Sequence, residues 1–282
     1  MKKDKLNLKK LVREALNEDR AKKDITSLNL EYSSASLKAF IISRQEGILC
    51  GSPLVKEVYK QISSGINVQF NLQEGALLQK GSRIADIEGD PASIFAGERT
   101  ALNFLSHMCA IATVTAQYVQ KAGETEVYDT RKTLPGLRDI QKYAVRAGGG
   151  KNHRRDLSEL ALIKENHIRA SKEKDPGKIV KQLKARLPLK VKIEVEVETL
   201  DQLRSVLNSR ADIVMLDNFS PEEVKKAVFM AEKKKADVII EVSGGINLNN
   251  IHKYALRGVD RISTGSITSC SGAFDLSLLA DE

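Results

Sequence analysis

Cysteine is scarce in this 282-residue chain: three residues, Cys50, Cys109 and Cys270, far apart and odd in number. That argues against a disulfide framework or a cysteine-built zinc cluster and for a reducing compartment. Long apolar runs are missing as well; none approaches the roughly 18 residues needed to cross a membrane. The opening MKKDKLNLKKLVREAL is charged but has no continuous apolar core followed by a small-residue cleavage site, so it does not read as a secretory signal. Together these absences predict a cytoplasmic protein with no membrane partner. Aromatic residues make up only 5% of the chain, and few are interleaved with the basic ones. The net charge of +8 therefore comes without the signature of a nucleic-acid recognition module. Much of the lysine is scattered along amphipathic runs such as SKEKDPGKIVKQLKAR, which reads as solvated helix faces. Nucleic-acid binding stays as the rival class, and solvated faces plus one cationic pocket is the preferred reading.

The length allows one large domain or two ordinary ones. An amphipathic helix is expected over residues 6–19. Short extended runs follow (LKAFIISR, EGILCG), then a helix near Leu54–Ile62, then runs broken by Gly75 and Gly81, the pattern of a β-rich unit with tight turns. After Gly89-Asp90-Pro91 comes one long helical stretch, with an interruption expected near Cys109–Ala112. Residues 1–112 thus read as a first, α+β domain. Beyond Gly123 six strand patterns (126–130, 160–164, 190–198, 212–218, 237–243 and 260–264) alternate with helical ones around 136–147, 176–187, 200–208, 221–235 and 247–257. Such alternation implies parallel strands with right-handed crossovers. Because polar residues end essentially every strand, residues 113–272 are predicted to form a closed or slightly open parallel α/β barrel with one mouth. In the first crossover, Pro135 suits an opening helical turn and Gly148 a left-handed stop.

The stretch VYDTRKTLPGLRDIQKYAVRAGGGKNHRRDLSELALIKENHI carries most of the chemistry. Thr130, Arg131 and Lys132 end one strand, Lys164 ends the next, and His153 and Arg154 lie between them. Guanidinium forks grip planar carboxylates, and lysine serves as a point charge for carboxylate or phosphate, so a small, strongly anionic substrate would suit this mouth. The alternative is a set of surface charges paired with Asp and Glu. Arg155 is expected to point outward, and His167 is left between structure and site. Glu196 and Asp217 end two further strands; such carboxylates could hold Mg²⁺, directly or through water, accept ribose hydroxyls, or simply pair with Arg131 or Lys164. In IEVEVE, Glu194, Glu196 and Glu198 share a face, of which Glu196 is the best centred. Ser243-Gly244-Gly245, before a helix expected near Asn247, and Thr264-Gly265-Ser266 offer phosphate-binding turns after the last strands. Arg99, in the long helix, has nothing in its spacing to mark it.

Read in order, DTRKTLPGLRDIQKYAVRAGGGKNHR, LIKENHI, IEVEVE, VMLDNFSPEEV, VSGGI and GVDRISTGSIT, with NEDRAKKDITS, GILCG and GERTALNFL before them, resemble the quinolinate phosphoribosyltransferases. These are also called carboxylating nicotinate-nucleotide pyrophosphorylases. The resemblance covers nearly the whole chain. It implies phosphoribosyl transfer from phosphoribosyl pyrophosphate to quinolinate with decarboxylation, giving nicotinate mononucleotide in NAD biosynthesis. It also implies an N-terminal α+β sandwich-like domain (1–112), with a tail at about 273–282 packing on it, an incomplete parallel α/β barrel (113–272), Mg²⁺, and a homodimer, or a multiple of dimers, whose sites are shared between subunits. Carried over, Arg131, His153, Arg154 and Lys164 would bind the dicarboxylate, and Arg99 would come from the partner subunit. Lys132, Glu196 and Asp217 would surround phosphoribosyl pyrophosphate and its Mg²⁺, with Ser243, Gly244, Gly245, Thr264, Gly265 and Ser266 at its phosphates. A related phosphoribosyltransferase-like group associated with molybdenum transport is the nearest rival; Lys164 and the Asn152-His153-Arg154 run favour the quinolinate enzymes. This chain departs from the family pattern at EDRAKKDIT, which lacks glycines, at Cys109-Ala110 in place of Ser-Gly, at Asp156 in place of glycine, and at ITSCSG.

Overall fold

The computed structural model describes residues 8–281, which fall into two compact units. The first comprises the described part of Met1–Val114 together with Asp139–Gly148 and Ser271–Glu282. Its elements are α1 (Leu8–Glu18), β1 (Leu37–Ser43), β2 (Gly47–Ile48), α2 (Ser52–Ile62), β3 (Asn67–Phe70), β4 (Leu77–Leu78), β5 (Arg83–Gly89) and the greater part of α3 (Pro91–Ala122). Four strands form an antiparallel sheet in the order Leu276–Ala280, β1, β5, β3, while β2 and β4 pair separately. Ile41, Ile84, Ile87, Val58 and Tyr59 are fully buried in this unit. α2 starts where Glu74 accepts the backbone N–H groups of Gly51 (3.0 Å) and Ser52 (2.6 Å), an acid at the positive end of a helix. α4 (Arg138–Ala147) is fastened within this unit, Tyr143 donating to Glu74 at 2.8 Å and Gln141 lying 2.9 Å from His107. An expected division at 112/113 does not show this excursion, which no local pattern signals.

The expected helix over 6–19 is present as α1, residues 6 and 7 lying outside the described ones. α3 runs unbroken through Cys109–Ala112, against the interruption expected there. Those four residues are buried, and beyond Gly97 the helix contains neither proline nor glycine to break it.

The second unit, Thr115–Arg138 and Gly149–Cys270, holds β6 (Glu126–Tyr128), β7 (Ala161–Ile163), β8 (Ile193–Val197), β9 (Ile213–Asp217), β10 (Ile239–Ser243) and β11 (Arg261–Ser263). All six expected strands are there, trimmed at their ends. They pair in parallel in the order β6-β11-β10-β9-β8-β7, leaving β6 and β7 as edges. β8 is buried along its whole length, as strands covered on both faces are. The sheet curls: Arg261 on β11 and Glu194 on β8 meet at 3.4 Å, although three strand spacings in a flat sheet would separate them by roughly 14 Å. This is the incomplete barrel, with α5 (Glu165–Ala170), α6 (Pro176–Lys184), α7 (Leu200–Val206), α8 (Pro221–Lys233) and α9 (Ser266–Ser269) between and after the strands.

Three local expectations are corrected here. The helix expected over 247–257 reduces to a 3₁₀ turn, Ile251–Lys253. Asn250 and Asn247 side chains accept the backbone N–H of Asn247 (2.8 Å) and Asn249 (2.9 Å), holding the chain in turns that compete with helix. α4 begins at Arg138 rather than near Pro135, because Gly136 is left-handed at φ 80° and closes a turn first. The left-handed residue after α4 is Gly149, φ 86°, and not Gly148.

Candidate active site

The carboxyl ends of the strands converge on a cavity of about 490 Å³. β6 leads into Thr130, Arg131 and Lys132, β7 into Lys164, and the segment between them brings His153 and Arg154. Glu196 comes from β8, Asp217 from β9, and Ser243, Gly244 and Gly245 from the end of β10. Thr264, Gly265 and Ser266 line a smaller cavity of about 230 Å³, whose wall includes Lys132, Ser243, Gly244 and Gly245. Those four residues and Ser263 are common to both cavities. Arg99 is not among the lining residues; it is exposed, on α3 in the first unit.

Both cavity arginines, like Lys132, are not matched by acids among the described residues. Among the described residues neither Arg131 nor Arg154 forms an ion pair, and Nε of Arg131 is buried with no hydrogen-bond partner. Arg154 donates from Nη1 to the carbonyl of Leu160 at 3.0 Å. Burial and the nearby Arg131 charge hold its guanidinium below the ordinary arginine range, with Glu194 acting in the opposite sense. A buried donor without an acceptor costs on the order of 1–3 kcal/mol, more for a charged group, which an arriving anion would recover. Lys164 differs, since its ammonium pairs with Glu196 at 2.5 Å. Arg155 points outward and pairs with Asp156 at 3.3 Å. His167 serves the fold, its Nδ1 accepting the Lys164 N–H at 3.0 Å and capping α5.

The acids and glycines shape the other wall. Asp217 accepts a hydrogen bond from Asn218 Nδ2 at 2.7 Å, and Asn218 is left-handed at φ 57°. Asn218 N–H in turn donates to Ser243 O at 3.0 Å. Gly244, φ 87°, lies so close that a Cβ there would stand 2.4 Å from Asn218 Oδ1, so only glycine fits both the dihedral and the space. Gly265 packs against the Lys132 side chain, a Cβ there falling 2.5 Å from its Cδ, but its φ of −74° is one any residue adopts. Thr268 Oγ1 donates to Lys132 O at 2.7 Å, which ties the end of β6 to the loop after β11. Gly245 leads into a turn and the 3₁₀ segment Ile251–Lys253, so no α-helix terminus stands at Asn247.

Beneath these groups lies a charged layer that the sequence did not single out. Glu194 and Glu241 are fully buried, and Arg261 donates to both, from Nε to Glu241 and from Nη2 to Glu194. Ser263 Oγ donates to Glu241, and the Arg261 guanidinium lies 4.8 Å from the ring centre of Tyr128. His153, Glu194 and Glu241 place ligand atoms within 4.8 Å of one another, a spacing that a metal ion can use, but Arg261 already supplies positive charge to both carboxylates. The available signal was an acid or arginine inside a short apolar strand, as in IIEVS and DRIS, where burial demands a partner. Choosing Glu196 as the best-centred acid of IEVEVE passed over Glu194, two residues earlier on the same face.

Comparison with known proteins accounts for both units. Residues 24–109 match the family model "Quinolinate phosphoribosyl transferase, N-terminal domain", and residues 111–279 match the corresponding C-terminal domain. The chain is 36% identical over 278 residues to a probable nicotinate-nucleotide pyrophosphorylase (carboxylating) of Bacillus subtilis, covering 97% of this chain and 93% of that one. It is 39% identical over 277 residues to the similarly named protein of Methanocaldococcus jannaschii, with 95% of each covered. The solved nicotinate-nucleotide pyrophosphorylase from Francisella tularensis is similar with a TM-score of 0.91 at 43% identity, covering 97% of this chain and 96% of that one.

Proposed function

The chain belongs to the quinolinate phosphoribosyltransferase family, and on that premise we propose how its cavity performs the transfer of a phosphoribosyl group to quinolinate with loss of carbon dioxide. The observation that carries the reading is the pair of arginines without acidic partners, one with its Nε buried and unbonded, in a cavity open to a small dianion. A pyridine carrying two adjacent carboxylates supplies the missing acceptors. Arg131 and Arg154 would take them as bidentate forks, and Lys164 would turn from Glu196 towards the nearer carboxylate. Binding would then set the ring nitrogen facing the sugar.

Lys132 borders both cavities, which suits a cation between the dicarboxylate and the phosphates of phosphoribosyl pyrophosphate. The turns at Ser243–Gly245 and Thr264–Ser266 would receive phosphate oxygens on backbone N–H groups and hydroxyls. Glu196 and Asp217 line the same cavity and would offset positive charge developing at the anomeric carbon as the bond to pyrophosphate breaks. Their donors are hard carboxylate oxygens facing a polar space, a set that fits Mg²⁺ with water completing the shell. When bound, Mg²⁺ would offset charge on the pyrophosphate oxygens. Once nitrogen is joined to the sugar, its positive charge stabilises the electron pair left on the neighbouring ring carbon when the carboxylate there departs as carbon dioxide, and that carbon then takes a proton from water. The residues here form no covalent bond to substrate; they position and neutralise.

Arg99 is read as a contribution from the partner subunit in a homodimer, its exposure on α3 being consistent with that. Among the described residues no helix is long and apolar enough to cross a membrane. The reading is tested by incubating the purified protein with quinolinate, phosphoribosyl pyrophosphate and Mg²⁺. Nicotinate mononucleotide and carbon dioxide in equal amounts are expected; absence of the mononucleotide would overturn it.

A further inference from the structure

His153 lines the cavity, yet both of its ring nitrogens are engaged by the protein. Nδ1 accepts the backbone N–H of Arg154 at 2.8 Å. An imidazole nitrogen that accepts from an amide N–H carries no proton, so the proton of the neutral ring sits on Nε2. Nε2 lies 3.1 Å from Glu194 Oε2 and 3.6 Å from Glu241 Oε1, both fully buried carboxylates. The ring is thus held from below by the acids and holds the main chain of Arg154 from its other side.

Neighbouring bonds act in the same direction. Asp129, fully buried, accepts the His153 N–H at 2.8 Å and the Asn152 side-chain amide at 2.8 Å. Residues 152–154 belong to no helix or strand, so their conformation depends on such tethers. Each of three consecutive residues has one: Asn152 through its side chain, His153 through its backbone, Arg154 through its backbone. The far end of the Arg154 side chain is fixed separately by Leu160 O.

We infer that His153 is a positioning residue and not a substrate contact: the buried Glu194–Glu241–Arg261–Ser263 group clamps its ring, and the ring sets Arg154 for the dicarboxylate. This deepens, and rests on, the reading of the cavity as a quinolinate site. It gives the buried acids a function, since two carboxylates sharing one guanidinium keep unfilled acceptor oxygens, one of which the Nε2–H of the ring fills. It also orders the like-charged pair above them, because Glu194 partly offsets the repulsion that Arg131 exerts on Arg154. Burial and the neighbouring Glu194 raise the carboxyl of Glu241 to about 7, in keeping with a group short of positive charge.

The first test needs no turnover. Protein labelled with ¹⁵N-histidine, His153 being assigned by its loss in His153→Gln, reports which ring nitrogen bears hydrogen. At pH 7.5 His153 should be protonated on Nε2 only, and adding quinolinate should leave that unchanged. A proton on Nδ1, or a tautomer that switches with quinolinate, would overturn the proposal. The second test is kinetic, on Glu194→Gln and Glu241→Gln. Each should raise the KM for quinolinate by about tenfold while the KM for phosphoribosyl pyrophosphate stays within about twofold. An unchanged quinolinate KM in both variants, or an equal rise in both KM values, would overturn it. If neither variant folds, the imidazole spectrum of the wild type still decides. If the wild type does not turn over quinolinate, the functional reading falls while the spectrum stands, so the two failures are distinct.

Discussion

On the proposed reading, Arg131 acts through the carboxylate it would bind. Its buried, unbonded Nε is a cost in the free protein that a carboxylate removes, so Arg131→Ala should leave folding intact and weaken quinolinate binding about 100-fold, the upper part of what a charge-assisted pair supplies. Thermal melting and a quinolinate titration together check this; near-normal affinity would contradict the assigned role. Glu241 gives a second expectation. Its carboxyl is pushed up to about 7 by burial and by Glu194, with Arg261, His153 and Ser263 pulling the other way. The folded form then binds more protons than the unfolded chain between roughly pH 4.5 and 7, so its contribution to stability is present below that window and lost as pH rises through it. Melting temperatures of the wild type should therefore fall more steeply from pH 5 to 8 than those of Glu241→Gln; parallel profiles would remove the assignment. At this scale the sequence showed the cavity residues well, because cations and acids at the ends of apolar strands stand out. It showed the buried layer poorly. Glu194, Glu241 and Arg261 are meaningful only as partners, and partners three strands apart are not adjacent in any local pattern.

The strands were the most legible elements. Short apolar runs such as IVMLD and IIEVS, ended by Asp217 and Ser243, mark both the strand and the end that carries the site. Helices were legible where a proline or a cap opens them: α8 begins with Pro221 after Ser220, whose side chain and that of Glu223 cap each other's backbone. Ser220→Ala should cost about 1 kcal/mol, a fall in melting temperature of a few degrees, with both KM values unchanged, because the cap supports α8 and not the cavity. Helix 247–257 failed as an expectation because asparagine side chains took the backbone N–H groups of that segment. The turn before it is where element and site meet. Gly244→Ala would bring a methyl group into Asn218 and force a left-handed dihedral on alanine, so it should destabilise by about 1–3 kcal/mol and raise the KM for phosphoribosyl pyrophosphate more than that for quinolinate. Steady-state kinetics in both substrates separate these outcomes.

For the whole molecule, composition excluded membrane spans and disulfide scaffolds early, and the alternation of strands and helices indicated the barrel. The order of the motifs indicated the family. The return of residues 271–282 and 139–148 to the first unit was less legible, since a short strand pairing with β1 and a helix fastened to Glu74 depend on long-range contacts. If sites are shared between subunits, mixing inactive Arg99→Ala and Lys164→Ala proteins under conditions that exchange subunits should restore part of the activity; no recovery after verified exchange would count against sharing. The central claim is that this protein grips a pyridine by two carboxylates. It is tested most directly by comparing kcat/KM for quinolinate and for nicotinate, which lacks the carboxylate beside the nitrogen, at saturating phosphoribosyl pyrophosphate and Mg²⁺. Turnover of quinolinate with stoichiometric carbon dioxide and at least about 100-fold preference over nicotinate is expected; equal or better use of nicotinate would contradict the account.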